Sequence, residues 1–419
     1  MPILDGILPN IELATVLFDR LDRATRVGRG IVRDSYGDGE QAAHDIIGAA
    51  AMELGLDCTT DAIGNLMMTL PGRDRGAPGI IIGSHLDSVP QGGNFDGAAG
   101  VVAGLSAVAA LRAAAVVPAF DVTVMAIRAE ESAWFDVPYL GSAGAFGLLD
   151  PAYLDVRRFD TGVTLAETLQ QRGFDAGAIR ERRRLLDPRT LRAYVEVHIE
   201  QGPVLIGQGL PVAVVSGIRG CQRFRNARCL GEYAHSGAVP RRHRRDAVAA
   251  TVALLHHVND YWRRMEERGG DLVFTSGEFT TDAAMHGPSK IAGDVHFVLD
   301  IRSISDAVMD EVAAEARATA ESIAEEHGVR FDLGAMSYSP PALMDDSLQS
   351  TLLGLSDTPY RMASGAGHDA AIFAQMGVPS AMIFIRNANG SHNPDEAMDL
   401  ADFAVALQLL TRLLLEFPI

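Results

Sequence analysis

The sequence predicts a two-domain α/β protein, with a central, mostly parallel sheet flanked by helices and an inserted α+β domain carrying a four-stranded antiparallel sheet and two helices. Three observations predict it. A chain of 419 residues exceeds one ordinary core. Its first half and its C-terminal part alternate helical periodicity with short β-branched runs, the pattern of strands joined through helices. Between them, from about 212 to 329, strands follow one another with only two amphipathic helices. The main domain is therefore expected at 1–211 and 330–419, with the insertion at 212–329.

In order, "IELATVLFDRLDRATRV" and "QAAHDIIGAAAMELG" have helical spacing and "GIIIGSH" is a buried strand. Residues 98–117 approach a membrane span in length. Arg112, the dominance of alanine and the polar loop just before predict a buried helix instead. "DVTVMAIRA" and "AYVEVHIEQG" are strands. After Pro211 come strands "VAVVSGI" and "CQRFRNARCLGE", a helix from about Asp246 to Glu267, strands "DLVFTSGEFT" and "DVHFVLDIRS", a helix from about Asp306 to His327, and strand "VRFDLGAMSY". Past Ser339, "QSTLLGLSD" and "DAAIFAQMG" are helical, "SAMIFI" is a strand and a last helix runs from Asp399 to about Phe417, returning the chain to the first sheet.

Hydrophobic residues make up 47% and charged residues 21%, the balance of a folded, water-soluble protein. With 36 basic against 54 acidic residues the formal charge is −18, which repels phosphate backbones and anionic membrane surfaces. The runs Arg182–Arg184 and Arg241–Arg245 are expected as solvated or locally paired charge. Cys58, Cys221 and Cys229 lack metal-binding spacing and cannot all pair, which suits a reducing compartment. The N-terminal stretch has acidic residues and no clean apolar run, so no secretory leader is expected and the cytoplasm is the expected location.

The chemistry gathers at strand ends. His85 and Asp87, two apart where "IIIGSHLDSV" ends, face the same way, as an imidazole ligand and the carboxylate that orients it would. Asp96 follows in "GGNFDG", whose glycines allow a close approach. Glu130 and Glu131 follow "DVTVMAIRA"; two carboxylates meeting there repel unless a cation or a shared proton stabilises them. His198 ends "AYVEVH", and His392 lies in "NGSHNPDE" after "SAMIFI". His85, Asp96, Glu131, His198 and His392 thus all fall beyond strand ends of one expected sheet, where open α/β sheets bind ligands. Mixed imidazole and carboxylate ligands suit zinc, manganese, cobalt or nickel, and five exceed what one hydrolytic ion needs, so two divalent ions bridged by a carboxylate are expected.

The ordered series "GSHLDSVPQGGNFDGAAGVVAGL", "AEESAWFDVPYLGSAGAFG", "VEVHIEQGPVL", "GEYAHSGAVP", "LDIRS", "SGAGHDAAIFA" and "NGSHNPDE" resembles the dinuclear metal amidohydrolases of the hydantoinase/carbamoylase family, within the metallopeptidase-20 group. The resemblance implies that His85 and His198 hold one metal, Glu131 and His392 the other, and Asp96 bridges them. It implies Glu130 as general base, and Asp87, the carboxylate that orients His85, is placed with it among the catalytic residues. It also implies that the inserted domain is a lid and the contact of a homodimer. Gln201, His235 and Arg302 would reach a small carboxylate-bearing substrate, His235 at the carbonyl oxygen and Arg302 at the carboxylate. "SGAGHDA" offers Gly365 and His368 as further substrate contacts, through backbone N–H groups before a helix.

Three positions depart from the pattern: family members carry arginine at Trp134, methionine at Arg241 and a substrate-holding asparagine near Ser289. The activity the resemblance implies is hydrolysis of a linear amide or ureido C–N bond, with an N-carbamoyl-L-amino acid or related ureido acid as substrate. The alternatives are an N-acyl-amino acid amidohydrolase or dipeptidase of the same mechanism, and a catalytically silent metal-binding scaffold, against which the retained Glu130 argues.

Overall fold

The structure is a computed structural model that describes residues 11–417. Residues 1–10, which include part of the stretch expected to carry no leader, and 418–419 lie outside the described residues. The chain divides into two compact units, Met1–Ser216 with Leu343–Ile419 and Gly217–Ala342.

The larger unit is built on a nine-stranded sheet. Its labelled strands are β1 (Asp57–Thr60), β2 (Leu66–Leu70), β3 (Gly79–His85), β4 (Val122–Ile127), β5 (Leu191–Ile199), β6 (Val212–Ile218) and β13 (Ser380–Ile385), which follows the strands of the inserted unit. Four run parallel at the centre, in the order β13-β5-β3-β4. At the flanks β6 pairs antiparallel with β13, β2 with β4, and β1 with β2. The expectation of a mostly parallel sheet therefore holds for the strands that carry the site and fails toward the edges. Every residue of β4 and β13 is buried, as strands covered on both faces require.

Helix α3 (Ala98–Ala113) packs on β3 and β5, and every residue from Ala98 to Leu111 is buried. It is apolar all round because it is enclosed all round. It stops short of the expected 117: Ala115 takes a left-handed φ of 54° and Val116 turns back to bond the Leu111 carbonyl. Helices α1 (Ile11–Thr25), α2 (Asp38–Glu53) and α6 (Leu400–Glu416) complete the core. Among the described residues no helix is long and apolar enough to cross a membrane.

The stretch 212–218, expected in the insertion, is instead a strand of the large sheet, held by its pairing with β13. The insertion's sheet contains β7 (Gly220–Leu230), β8 (Val273–Thr275), β9 (Phe279–Thr281), β10 (Asp294–Ser303), β11 (Arg330–Asp332) and β12 (Met336–Ser339). β10 pairs antiparallel with β7; β8 and β9 share the outer side of β10, and β11 and β12 that of β7. Four ranks thus hold six segments, because "DLVFTSGEFT" and "VRFDLGAMSY" are each interrupted, the second at Gly334 with φ 68°. Residues 330–339, expected in the main domain, belong to this sheet. Helices α4 (Ala247–Glu267) and α5 (Asp306–His327) close its core over Phe224, Phe297 and Leu299.

Candidate metal centre

Because β3, β4, β5 and β13 run parallel, their C-terminal ends meet at one edge of the sheet, and the five expected ligands meet there with them. Asp96 is at the centre. Its Oδ1 lies 3.2 Å from His198 Nε2 and 3.5 Å from His85 Nε2, while its Oδ2 lies 3.4 Å from His392 Nε2. Glu131 Oε1 approaches the same His392 nitrogen at 3.4 Å. Among the described residues four groups of ligand-type atoms come close enough to hold an ion, and two of them, His85–Asp96–His198 and Asp96–Glu131–His392, share Asp96.

The imidazoles are oriented by their other nitrogens. His198 Nδ1 is 2.9 Å from the Ile199 carbonyl, and His85 Nδ1 is 3.2 Å from both the carbonyl and Oδ1 of Asp87. Nε2 of each ring thereby faces Asp96, and that of His198 also accepts the Gly97 N–H at 3.2 Å. Asp96 Oδ1 is buried and accepts no hydrogen bond, an arrangement that is costly unless something else satisfies it. A divalent cation would do so, and the donor set of imidazole and carboxylate fits one. Gly97, φ 65°, makes the approach feasible: a Cβ there would lie 2.5 Å from the His85 ring.

Asp87 organises the acids. It accepts the Glu130 N–H at 3.0 Å on Oδ1, and the Glu131 N–H at 3.2 Å and the Ser35 hydroxyl at 2.7 Å on Oδ2. Burial pushes the Glu130 carboxyl well above its usual range, with Glu131 adding to the rise. Burial lowers the proton affinity of His85, but Asp87 and Asp96 hold it well above the ordinary value. Hydrogen bonds with Asp96 and Glu131 raise His392 to about 10. Metal-free, the cluster therefore gathers protons, which a cation would displace.

A cavity of about 160 Å³ opens here, lined by His85, Asp96, Glu130, Glu131, His198, Gln201 and His392 together with Ser132, Pro138, Tyr139, Ala366 and Gly367. Gln201 turns its amide nitrogen to Asp96 Oδ2 at 2.8 Å. Gly365 is next to the lining residues rather than among them. His368 is buried against the His198 ring, with centroids 4.5 Å apart, and its Nε2 bonds Ser364 Oγ at 2.9 Å. His235 and Arg302 lie in the inserted unit: His235 Nδ1 accepts from Gly237 N at 3.1 Å, and Arg302 pairs with Asp300 at 3.0 Å. Trp134 is buried away from the cavity lining, donating to the Ser88 carbonyl at 2.7 Å beneath the Arg158 guanidinium. Arg241 and Ser289 are both in the inserted unit.

Several contributors were not singled out from sequence. Glu396 accepts the Phe95 and Asp96 N–H groups at 2.9 and 3.3 Å, and its other oxygen lies 2.5 Å from Ser391 Oγ, itself 2.6 Å from Asp96 Oδ2. Arg33, wholly buried, grips the same loop through the Gly93 and Asn94 carbonyls at 3.3 and 3.1 Å. Glu396 stands inside the quoted "NGSHNPDE", four residues after His392, which was its one local signal. Ser35 and Arg33 had none.

Comparison with known proteins identifies the family. The model of Peptidase family M20/M25/M40 matches residues 81–416, and the chain belongs to that family. Within it, the chain is 35% identical over 405 residues to the N-carbamoyl-L-amino acid amidohydrolase of Geobacillus stearothermophilus, covering 94% of this chain and 96% of the relative. It is 33% identical over 368 residues to the allantoate amidohydrolase of Escherichia coli (strain K12), 86% of each chain. Among solved structures, an amidase of the hydantoinase/carbamoylase family from Burkholderia multivorans superposes with a TM-score of 0.86 at 27% identity over 99% of both chains.

Proposed function

We propose that this chain is a metal-dependent amidohydrolase that cleaves the linear C–N bond of an N-carbamoyl-L-amino acid or a related ureido acid. One observation carries the chemistry: a buried carboxylate, Asp96, turns one oxygen to two imidazoles and the other to a third. His85 and His198 would hold one divalent cation, Glu131 and His392 a second, and Asp96 would bridge. Such cations supply Lewis acidity to a carbonyl and to a water. Glu130 takes the proton of the attacking water and passes it to the leaving nitrogen, a task that suits a carboxyl whose proton affinity burial has raised. A carbamoyl substrate and one water then give the amino acid, ammonia and carbon dioxide.

The relatives' names support the ureido class, and the family supports the metal. We assign Arg302 to the substrate carboxylate, where a guanidinium makes a bidentate pair, and His235 to its carbonyl oxygen. The inserted unit is proposed as lid and homodimer contact, a point the solution mass would test. Three free cysteines accord with a cytoplasmic setting.

The deciding experiment offers manganese-, cobalt- or zinc-loaded protein N-carbamoyl-L-amino acids, allantoate, N-acetyl amino acids and dipeptides, measuring ammonia and identifying products by mass. Ammonia from a ureido substrate is expected. Turnover of acyl or peptide substrates alone would overturn the substrate class.

A further inference from the structure

The wall of the metal cavity carries a hydroxyl that the mechanism above leaves idle. Tyr139 lines the cavity beside Glu130, Glu131 and Gly367. Its N–H donates to the Glu130 carbonyl at 2.9 Å and the next residue bonds Ala129 at 3.0 Å, so Tyr139 stands directly across a chain reversal from the general base. The reversal is strained. Tyr139, Asp136 and Ala129 take left-handed φ angles of 61°, 53° and 51°, conformations that side chains other than glycine adopt at a cost and that cluster at functional sites.

The surroundings are shaped to hold this ring. A Cβ on Gly367 would lie 1.8 Å from the Tyr139 hydroxyl oxygen, so glycine is what admits the phenol. Among the described residues that hydroxyl makes no hydrogen bond. The Gln201 amide, also in the lining, is already turned to Asp96 Oδ2 at 2.8 Å. A phenol ordinarily keeps its proton through the neutral range, so the hydroxyl is a donor there.

What it donates to follows from its lack of charge. A neutral phenol offers no countercharge to hold a carboxylate, but its O–H can donate to the oxygen of a carbonyl. About 160 Å³ has room for the reacting group rather than for a whole substrate. Building on the amidohydrolase reading, we propose that Tyr139 is a substrate-touching residue whose hydroxyl donates a hydrogen bond to the oxygen of the scissile carbonyl as that oxygen gains negative charge. The phenol keeps its proton throughout, and Glu130 carries the transferred one.

The test is Tyr139→Phe, which removes only the hydroxyl. With bound metal equal to wild type by elemental analysis, kcat on the best ureido substrate is expected to fall at least about tenfold with KM little changed. An unchanged kcat, a loss confined to KM, or lost metal would overturn the assignment. A second measurement needs no turnover: calorimetric binding of methylphosphonate, a tetrahedral oxyanion, to metal-loaded protein should weaken about tenfold in the variant. Equal affinity overturns the proposal. If wild type hydrolyses none of the substrates offered, the amidohydrolase reading fails, and the phosphonate comparison still decides the role of Tyr139.

Discussion

Along β10 of the inserted unit, buried and more exposed residues alternate from Val295 to Ile301, and the charges on the outer face are partnered: Asp294 with Arg228, Asp300 with Arg223 and Arg302. Around Asp96 these habits are reversed. Asp87, Asp96, Glu130 and Glu131 crowd together in a buried space, Asp96 Oδ1 has no hydrogen bond, and Gln201 and His392 take positive φ angles. The first region is consistent at every level, as a stretch that only has to fold can be. The second offsets the burial of its carboxylates by holding protons on His85 and His392, a place that a bound cation would take.

That contrast breaks most sharply at Asp96. Asp96→Ala should release both metals and abolish turnover, because a shared carboxylate serves two positions. His392→Ala should mainly empty one. Metal analysis of the two purified variants checks this, and equal loss in both would remove the bridge from the assignment.

A smaller effect is expected at Glu396, which ties the Asp96 loop to the segment bearing His392 and Ser391. Losing such outer support typically weakens metal affinity about 10–100-fold, the size expected for Glu396→Ala. Glu396→Gln should recover most of it: the amide oxygen can still accept the Phe95 and Asp96 N–H groups, and the amide nitrogen can donate to Ser391 Oγ. Competition against a chelator measures both variants, and failure of glutamine to rescue would mean that the charge, not the tether, matters.

The reason some of this was legible in the sequence lies in locality. His85 and His198 end apolar runs, and the i, i+2 spacing of Asp87 sets it beside His85, so a strand's own periodicity announces them. Ser35 meets Asp87 across 52 residues and Glu396 meets Phe95 across 301, and no local pattern encodes such contacts. Gln201, expected at the substrate, lines the cavity with its amide turned to Asp96, a contact across 105 residues that no local pattern shows. The fold shows the same division. The parallel centre was legible from buried β-branched runs. β1 and β2 were not: β1 is a mostly exposed edge of four residues, too short and polar to stand out. The strand 212–218 was credited to the insertion because strand followed strand there, and only its partner β13, far along the chain, shows which sheet it joins.

The smallest effect tests whether the two regions are independent. Ile301 is fully buried in the inserted unit, opposite Gln222 and Phe274 in the sheet register. Ile301→Val removes one methylene from a packed core, and the cost in stability should be about 0.5–1.5 kcal/mol, read as a shift of the denaturation midpoint. Nothing in the Asp96 cluster depends on that methylene, so metal content should stay at the wild-type value. A variant that lost metal along with stability would show that the regular sheet and the strained centre share one energetic account, and the contrast drawn between them would then describe their local chemistry but not their thermodynamics.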